Sequence, residues 1–469
     1  VSKTAESLGS VSELSPINRF YRTVWRWHFY AGLFVIPFML LLAITGSIYL
    51  FKPQLDSLMY PNLLFVPGQD ATSVLPYSQQ LQTVQRAYPN ATISNITPSI
   101  APDRSTEVAI TTADNELTAF VNPYNGQLLG TRDENQNLQA IIRRLHGELM
   151  IDKIGDYLVE LAACWGLVLL LTGLYLWLPR NGFSVWGVLL PRLNSTSKRV
   201  FWRDLHSVSG FYGAILIAFL ILTGLPWSGF WGETFAQVWN RFPPYVFDGT
   251  TPQSTQLTGT LNQQGAQIVP WAVEQLPMPH SAHQPGSSAP GQMQPTAIGV
   301  DAVIDMARAQ GAPAGFSVTL PEGETGVYTV AAYPGDSTQE VTMHIDQYSG
   351  KVLADVRWQD YGLVPKAVEL GISIHMGKYF GLANQLLMLL ACLLLIVLCL
   401  SGTVMWWRRR PDGRLGAPVL ASYDHWRVPL VMVAIMGIIF PLVGLSLIAV
   451  LLLDYLLLSR LPNLKRLLN

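Results

Sequence analysis

Five stretches of the chain contain no Asp, Glu, Lys or Arg: residues 29–51, 161–179, 207–232, 379–407 and 428–453. A helix needs roughly 20 apolar residues to cross a hydrocarbon core of about 30 Å. In lipid each backbone polar group must be paired, and a helix does this internally. A soluble core helix keeps charge on one face, so uncharged runs of this length predict membrane spans. Charged residues make up only 13% of the chain, about half the share usual in soluble domains. The expected fold class is a polytopic α-helical membrane protein.

The distribution of charge orients the spans. Arg19, Arg22 and Arg26 precede the first; Arg180, Arg192, Lys198, Arg199 and Arg203 follow the second. Arg408, Arg409, Arg410, Arg414 and Arg427 follow the fourth, and Arg460, Lys465 and Arg466 lie near residue 469. The positive-inside rule makes these segments cytoplasmic, with 52–156 and 230–378 on the other side. The first apolar run is too long for a cleavable signal and is expected to act as a retained anchor. The net charge of −1 gives no reason to expect a nucleic-acid partner. Cys164, Cys392 and Cys399 all fall inside spans, which leaves the outer segments without a disulfide framework.

The two halves repeat. His28 precedes Gly32 by four residues and Gly46, in Thr45-Gly46, by 18; His206 precedes Gly210 and Gly224, in Thr223-Gly224, by the same intervals. His146 precedes Gly173, Trp177 and Arg180 by 27, 31 and 34 residues, and His375 precedes Gly402, Trp406 and Arg409 by those intervals too. Two independent sets of matched offsets predict a tandem duplication of parallel topology.

Each half also carries an outer α+β segment. In the first, a helix is expected over 75–88 and strands over 107–112 and 117–122; in the second, a helix over 297–310 and strands near 315–319 and 326–332. Asn125-Gly126 and Ser349-Gly350 mark equivalent tight turns between strands. The stretch 248–296, rich in Gly, Pro, Gln, Ser and Thr, reads as an irregular loop. The order expected is a tail (1–17), span (18–51), outer domain (52–155), span (156–179), cytoplasmic loop (180–204), span (205–229), outer loop and domain (230–378), span (379–407), cytoplasmic loop (408–426) and C-terminal apolar hairpin (427–469). A single helix over 428–459 would reach about 46 Å. Pro441 near its middle favours a hairpin, with one kinked span as the alternative.

Of eight histidines, four occupy the repeated positions. An ionisable residue at membrane depth is costly and usually functional. Haem held between helices takes one imidazole on each face, so its ligands come in facing pairs. His28 and His206, at the cytoplasmic ends of the first and third spans, form one expected pair; His146 and His375, on the outer side, form the other. Two b-type haems are therefore the expected cofactors. Gly32, Gly210, Gly46 and Gly224 would let a flat macrocycle or a neighbouring helix come close. Zinc or copper would require more ligands at closer spacing. Arg26, Arg203, Arg143 and Arg144 flank the histidines as candidates for pairing with propionates, or serve as interfacial anchors. A continuous helix from His146 to Gly173 would rise about 40 Å and set the outer haem far from the inner one. His280 and His283, with Met278 and Met293, read as part of a solvated loop; His344 and His425 lack recurring partners. No dinucleotide or flavin fingerprint is present, so electrons would come from membrane quinol or a separate cytoplasmic reductase.

The segments Trp25-Arg26-Trp27-His28-Phe29-Tyr30-Ala31-Gly32, Leu145-His146-Gly147-Glu148-Leu149 and Trp202-Arg203-Asp204-Leu205-His206-Ser207 resemble the PepSY-associated transmembrane family. The turn Pro123-Tyr124-Asn125-Gly126 resembles the end of a PepSY domain, and the likeness runs from about residue 18 to 410. That family includes PiuB-like iron-regulated proteins and FoxB-like ferric-siderophore reductases. The resemblance implies a bacterial inner-membrane protein with both termini cytoplasmic and two periplasmic PepSY-like domains. It implies bis-histidine haem at His28, His206, His146 and His375, and electron transfer to a periplasmic ferric siderophore or other ferric chelate. Peptide or protein binding without redox chemistry, and transport of a siderophore or metal, are the alternatives.

Overall fold

Four helices are long and apolar enough to cross a membrane: Phe20–Tyr49, Asp152–Trp177, Lys198–Trp227 and Leu382–Arg409. The chain is thus a multi-pass membrane protein, with spans where the uncharged runs placed them. The computed structural model describes residues 16–67, 74–180, 182–262, 267–281, 297–418, 427–453 and 456. His283, Met293, His425 and the basic residues Arg460, Lys465 and Arg466 lie outside the described residues.

In chain order the helices are α1 (Pro16–Tyr49), α2 (Lys52–Met59), α3 (Pro61–Leu64), α4 (Tyr77–Ala87), α5 (Leu138–Glu148), α6 (Asp152–Trp177), α7 (Lys198–Gly224), α8 (Trp231–Trp239), α9 (Val300–Ala309), α10 (Leu363–His375), α11 (Leu382–Arg409), α12 (Arg427–Ile439) and α13 (Pro441–Leu453). The strands are β1 (Thr92–Thr97), β2 (Thr106–Thr111), β3 (Glu116–Val121), β4 (Leu128–Asp133), β5 (Ser317–Thr319), β6 (Val327–Ala332), β7 (Val341–Asp346) and β8 (Val352–Arg357). Two compact units result. One takes the chain up to Ser47, Arg144–Glu233 and the chain from Leu387; the other takes Ile48–Arg143 and Thr234–Leu386.

The first unit is the helical bundle. Its packing is apolar, with Val35, Met39, Ala162 and Cys399 in one buried cluster and Cys164, Leu225, Phe440 and Val443 in another. The three cysteines are free and buried. Repeated tryptophans tie down the segments that leave two spans: the Trp177 indole N–H donates to the Val188 carbonyl at 2.9 Å, and Trp406 to that of Leu415 at 2.9 Å. The repeated arginines stack on aromatic rings, Arg180 over Tyr21 at 4.2 Å and Arg409 over Trp25 at 5.0 Å. α12 and α13 have 13 residues each, about 20 Å of helix. A Cβ on Gly444 would stand 2.8 Å from the Gly437 Cα, a contact that two residues seven apart make only where the chain reverses. The C-terminal apolar segment is therefore a hairpin, and the single kinked span is excluded.

The second unit is built on one eight-stranded antiparallel sheet of order β4-β3-β2-β1-β5-β6-β7-β8. The two α+β halves expected from the sequence share this sheet through β1 and β5, where Asn95 faces Thr319 and Ile96 faces Val318. β1 carries Ser94 and Asn95 between its apolar residues, which hid it from the sequence pattern. The core is common to both halves: α4 contributes Val84, α9 contributes Val303 and Ile304, and the strands add Ile96, Val108, Val318 and Val330.

The two turns match bond for bond. Gly126 N–H donates to the Asn122 carbonyl (2.9 Å) and Gly350 N–H to that of Asp346 (3.0 Å). The Tyr124 hydroxyl reaches the Pro102 carbonyl at 2.6 Å, and the Tyr348 hydroxyl that of Glu324 at 2.9 Å. Both turn glycines have φ near +70° (73° and 71°), open to glycine at little cost. The following strands carry β-bulges at equivalent places, Phe120/Val121 and His344/Ile345.

One expectation needs correction. The stretch beginning at 248 is irregular, but up to Ser281 it is not a plain solvated loop. Val269, Trp271, Ala272, Val273 and Leu276 are buried, and most of them pack with Val246 and Phe247 on Ala331, Ala354 and Val356. Their spacing follows neither helix nor strand period, so the apolar layer left no pattern to read.

Candidate functional site

α1 presents His28 and α7 presents His206 within the bundle. Their ring centroids lie 6.4 Å apart with planes 86° to one another. Each imidazole is anchored from a different helix. His28 Nδ1 lies 2.9 Å from the Thr172 hydroxyl of α6, and His206 Nδ1 lies 3.0 Å from the Ser401 hydroxyl of α11. His146, on α5, repeats the arrangement, with Nδ1 2.9 Å from the Thr45 hydroxyl of α1.

The hydroxyls fix the proton on each ring. Thr172 donates to the Val168 carbonyl at 2.8 Å, Ser401 to Val397 at 2.6 Å and Thr45 to Leu41 at 2.8 Å. These are the i−4 back-bonds that Ser and Thr make inside apolar helices. A hydroxyl has one proton, and here it is committed to the carbonyl, so toward the imidazole the oxygen can only accept. Nδ1 must then carry the ring hydrogen, which leaves the Nε2 lone pair available to a metal.

The residue after each hydroxyl is glycine, and the reason is steric. A Cβ would stand 3.2 Å from His28 Cε1 at Gly173, 3.4 Å from His206 Cε1 at Gly402 and 3.3 Å from His146 Cε1 at Gly46. The Ser/Thr-Gly dipeptide is thus a seat for an imidazole. At Gly32, one turn beyond His28, a Cβ would meet nothing within 4 Å, and the His28 and His206 side chains are half-buried. Open space therefore adjoins the two rings.

The spacing can be tested against a shared metal. A metal–nitrogen bond of about 2 Å and about 1 Å from nitrogen to ring centre put two coaxial imidazoles about 6 Å apart, close to the separation found. The described residues contain no group of three or more His, Cys, Asp or Glu able to hold a metal ion. A bare ion would find two protein nitrogens here, whereas haem brings four nitrogen donors and asks for two more. The residues fit haem.

The outer pair divides between the units: His146 lies with the bundle, and His375 is the last residue of α10 in the second unit. The continuous helix from His146 into the second span does not form. α5 ends at Glu148 and α6 starts at Asp152, with Leu149, Met150 and Asp152 at φ of 52°, 60° and 51°. Left-handed backbone at bulky residues costs on the order of 1–3 kcal/mol each. The break sets His146 against Thr45, near the end of α1, and removes the 40 Å extension. α10 and α11 are interrupted equivalently, with Gly377 and Gly381 at φ of 72° and 57°. Thr45 lies about 26 Å along α1 from His28 at 1.5 Å per residue, so the two seats occupy opposite ends of that helix.

The candidate arginines have protein partners. Arg26 donates to the Pro418 carbonyl at 2.7 Å and lies over the Tyr30 ring. Arg203 and Arg192 both pair with Asp204, which is fully buried, at 2.8 Å and 2.6 Å. Arg144 sits 3.6 Å from Asp152, and Arg143 is half-buried beside it. His344 is a core residue with both ring nitrogens paired, to Thr258 at 3.2 Å and Thr329 at 3.0 Å. His280 bonds Ser254 at 3.3 Å, and Met278 is buried. Thr172, Ser401 and Asp204 are functional candidates that the sequence reading did not single out. A signal was present for the first two, since each span carries one hydroxyl-glycine dipeptide: Thr45-Gly46, Thr172-Gly173, Thr223-Gly224 and Ser401-Gly402.

The sequence model of the PepSY-associated TM region matches residues 25–409. The chain belongs to the PepSY-associated transmembrane family. The matched region contains all four repeated histidines and all four hydroxyl-glycine dipeptides, and it ends before the α12–α13 hairpin. No curated protein compared with this family member matches it.

Proposed function

We propose that this protein is a haem-dependent reductase of the bacterial inner membrane. In this reading it passes electrons across the membrane to a ferric chelate in the periplasm, of which a ferric siderophore is the expected class, and so releases iron. The observation that carries the reading is the His28–His206 pair, 6.4 Å apart, each ring held by a hydroxyl that leaves Nε2 free. His146 with His375 is the second pair, by the repeat. The matched offsets, turns, bulges and tryptophan anchors support a tandem duplication whose two halves supply one ligand to each pair. The basic segments after α6 and α11 support cytoplasmic placement of both, and of the termini, by the positive-inside rule. The sheet unit then lies in the periplasm.

A b-type haem supplies a one-electron carrier at each site. The chain's own residues do the rest. Thr172, Ser401 and Thr45 hold the ring protons on Nδ1 and fix the plane of each imidazole. Gly173, Gly402 and Gly46 admit the rings to the helix surface. The apolar bundle excludes water, which favours the less charged ferrous state. Arg26, Arg203, Arg143 and Arg144 are the groups available to propionates at the two levels. Quinol or a separate cytoplasmic reductase is the donor.

The test is reduction of a ferric chelate by purified, dithionite-reduced protein, read with a ferrous-specific chromophore. Wild type is expected to turn over and His28→Ala to lose the activity. Chelate binding without reduction would point to transport, and peptide binding by a colourless protein to an adaptor role.

A further inference from the structure

The sheet unit contains two buried carboxylates that the proposed electron path does not use. Glu340, just before β7, is 1% exposed and Glu369, on α10, is 0% exposed. Glu369 accepts the Ala272 N–H at 2.8 Å and the Tyr333 hydroxyl at 3.3 Å. Glu340 accepts the Tyr361 hydroxyl at 3.2 Å, while its Oε1 is buried with no hydrogen-bond partner among the described residues. Five elements therefore converge on one polar pocket: the end of β6, the start of β7, the turn after β8, α10 and the turn Trp271–Val273.

An ionised carboxylate with an unpaired buried oxygen is costly, and a neutral acid far less so. The charged groups around the pair do not remove that cost. Glu274 approaches from the 271–273 turn, Asp360 stands beside Tyr361, and Lys52 and Lys378 are the cations. The Lys378 ammonium lies 4.8 Å over the Tyr333 ring. Burial raises both carboxylates above the usual range, and the charge of Glu369 raises Glu340 further. α10 carries Glu369 and ends at His375 six residues on, about 9 Å along the axis. A charge arriving at His375 would fall within reach of the pair through poorly solvated protein.

We infer that the Glu340–Glu369 pair is a proton-binding site that takes up one proton when an electron arrives at the haem ligated by His375. This rests on the function proposed above. The step balances: one electron from the donor reduces ferric to ferrous iron, and one proton from the outer water neutralises a carboxylate. When the electron leaves for the ferric chelate, the proton returns to the water. The site's ligand is the proton, and its effect is to keep the local charge constant during transfer.

Two measurements on the full-length protein test this. In reduced-minus-oxidised infrared spectra, wild type should show a carboxylic-acid carbonyl band that Glu340→Gln and Glu369→Gln abolish. The potential of one haem should fall as pH rises, by up to about 59 mV per tenfold fall in proton concentration. In Glu340→Gln, a neutral mimic of the protonated acid, it should become flat. A haem-loaded Glu340→Gln protein that keeps the wild-type slope and band overturns the inference while leaving the reductase reading intact. If the protein binds no haem, the reductase reading falls and the coupling with it; an acid band at neutral pH would then still identify the pair as a proton site, and its absence would refute that as well.

Discussion

Replacing Thr172 by valine keeps the shape of the side chain and removes only the hydroxyl. His28 Nδ1, 2.9 Å from that hydroxyl, would lose its acceptor. A buried donor left unpaired costs about 1–3 kcal/mol, and 1.4 kcal/mol is tenfold in an equilibrium constant, so affinity at this seat should fall by roughly 5- to 150-fold. Loss of the outer partner of a metal-ligating histidine typically costs about 10–100-fold, so the two estimates agree. The assay is titration of haem-free protein with haemin, following the absorbance of the bound form. Thr172→Val should weaken one of two sites by about 10–100-fold, whereas Thr172→Ser should behave as wild type. Thr45→Val should weaken the other site. Unchanged binding at both sites in Thr172→Val would refute the claim that the hydroxyl sets the tautomer of His28.

Other consequences are as direct. Gly126→Ala and Gly350→Ala place a Cβ at φ of 73° and 71°, and each should destabilise the sheet unit by about 1–2 kcal/mol, read as a lower thermal midpoint; a loss from only one would argue that the two turns are not equivalent. Gly444→Leu forces a side chain onto the Gly437 backbone and should destabilise the α12–α13 hairpin by about 1–3 kcal/mol, measured by thermal unfolding in detergent, with an unchanged midpoint counting against the reversal at Phe440. Burial raises Glu274 from 4.5 to about 7. The folded state then binds that proton more tightly than the unfolded chain, so the contribution is whole below about pH 4.5 and is lost as pH climbs through about 7. Glu274→Gln should flatten this fall in thermal midpoint, and an identical pH profile in wild type and variant would remove Glu274 from the account.

Much of the fold was legible because membranes and duplications both leave strong signatures. Uncharged runs located α1, α6, α7 and α11, and the offsets from His28, His206, His146 and His375 aligned the halves. Asn125-Gly126 and Ser349-Gly350 announced turns that glycine alone adopts cheaply. What escaped was set by tertiary contacts. Leu149 and Met150 carry no turn chemistry, yet they take the left-handed conformation that breaks α5 from α6 and returns His146 to Thr45. The single sheet depends on β1 meeting β5 across more than 200 residues, a pairing that no local pattern encodes. Val269–Leu276 became a buried layer through contact with β6 and β8. Thr172 and Ser401 were visible as residues, but a hydroxyl in a span has many roles, and only its distance to an imidazole identifies this one.

The central claim is that paired histidines, seated on hydroxyl-glycine dipeptides, bind haem. Its most direct test is the visible spectrum and haem-to-protein ratio of the purified protein, oxidised and after dithionite, in wild type and in His28→Ala, His206→Ala and His146→Ala. The account predicts two low-spin haems per chain. His28→Ala and His206→Ala should lose the same haem, and His146→Ala the other. A folded protein without haem absorbance, or one in which His28→Ala and His206→Ala lose different haems, would contradict it.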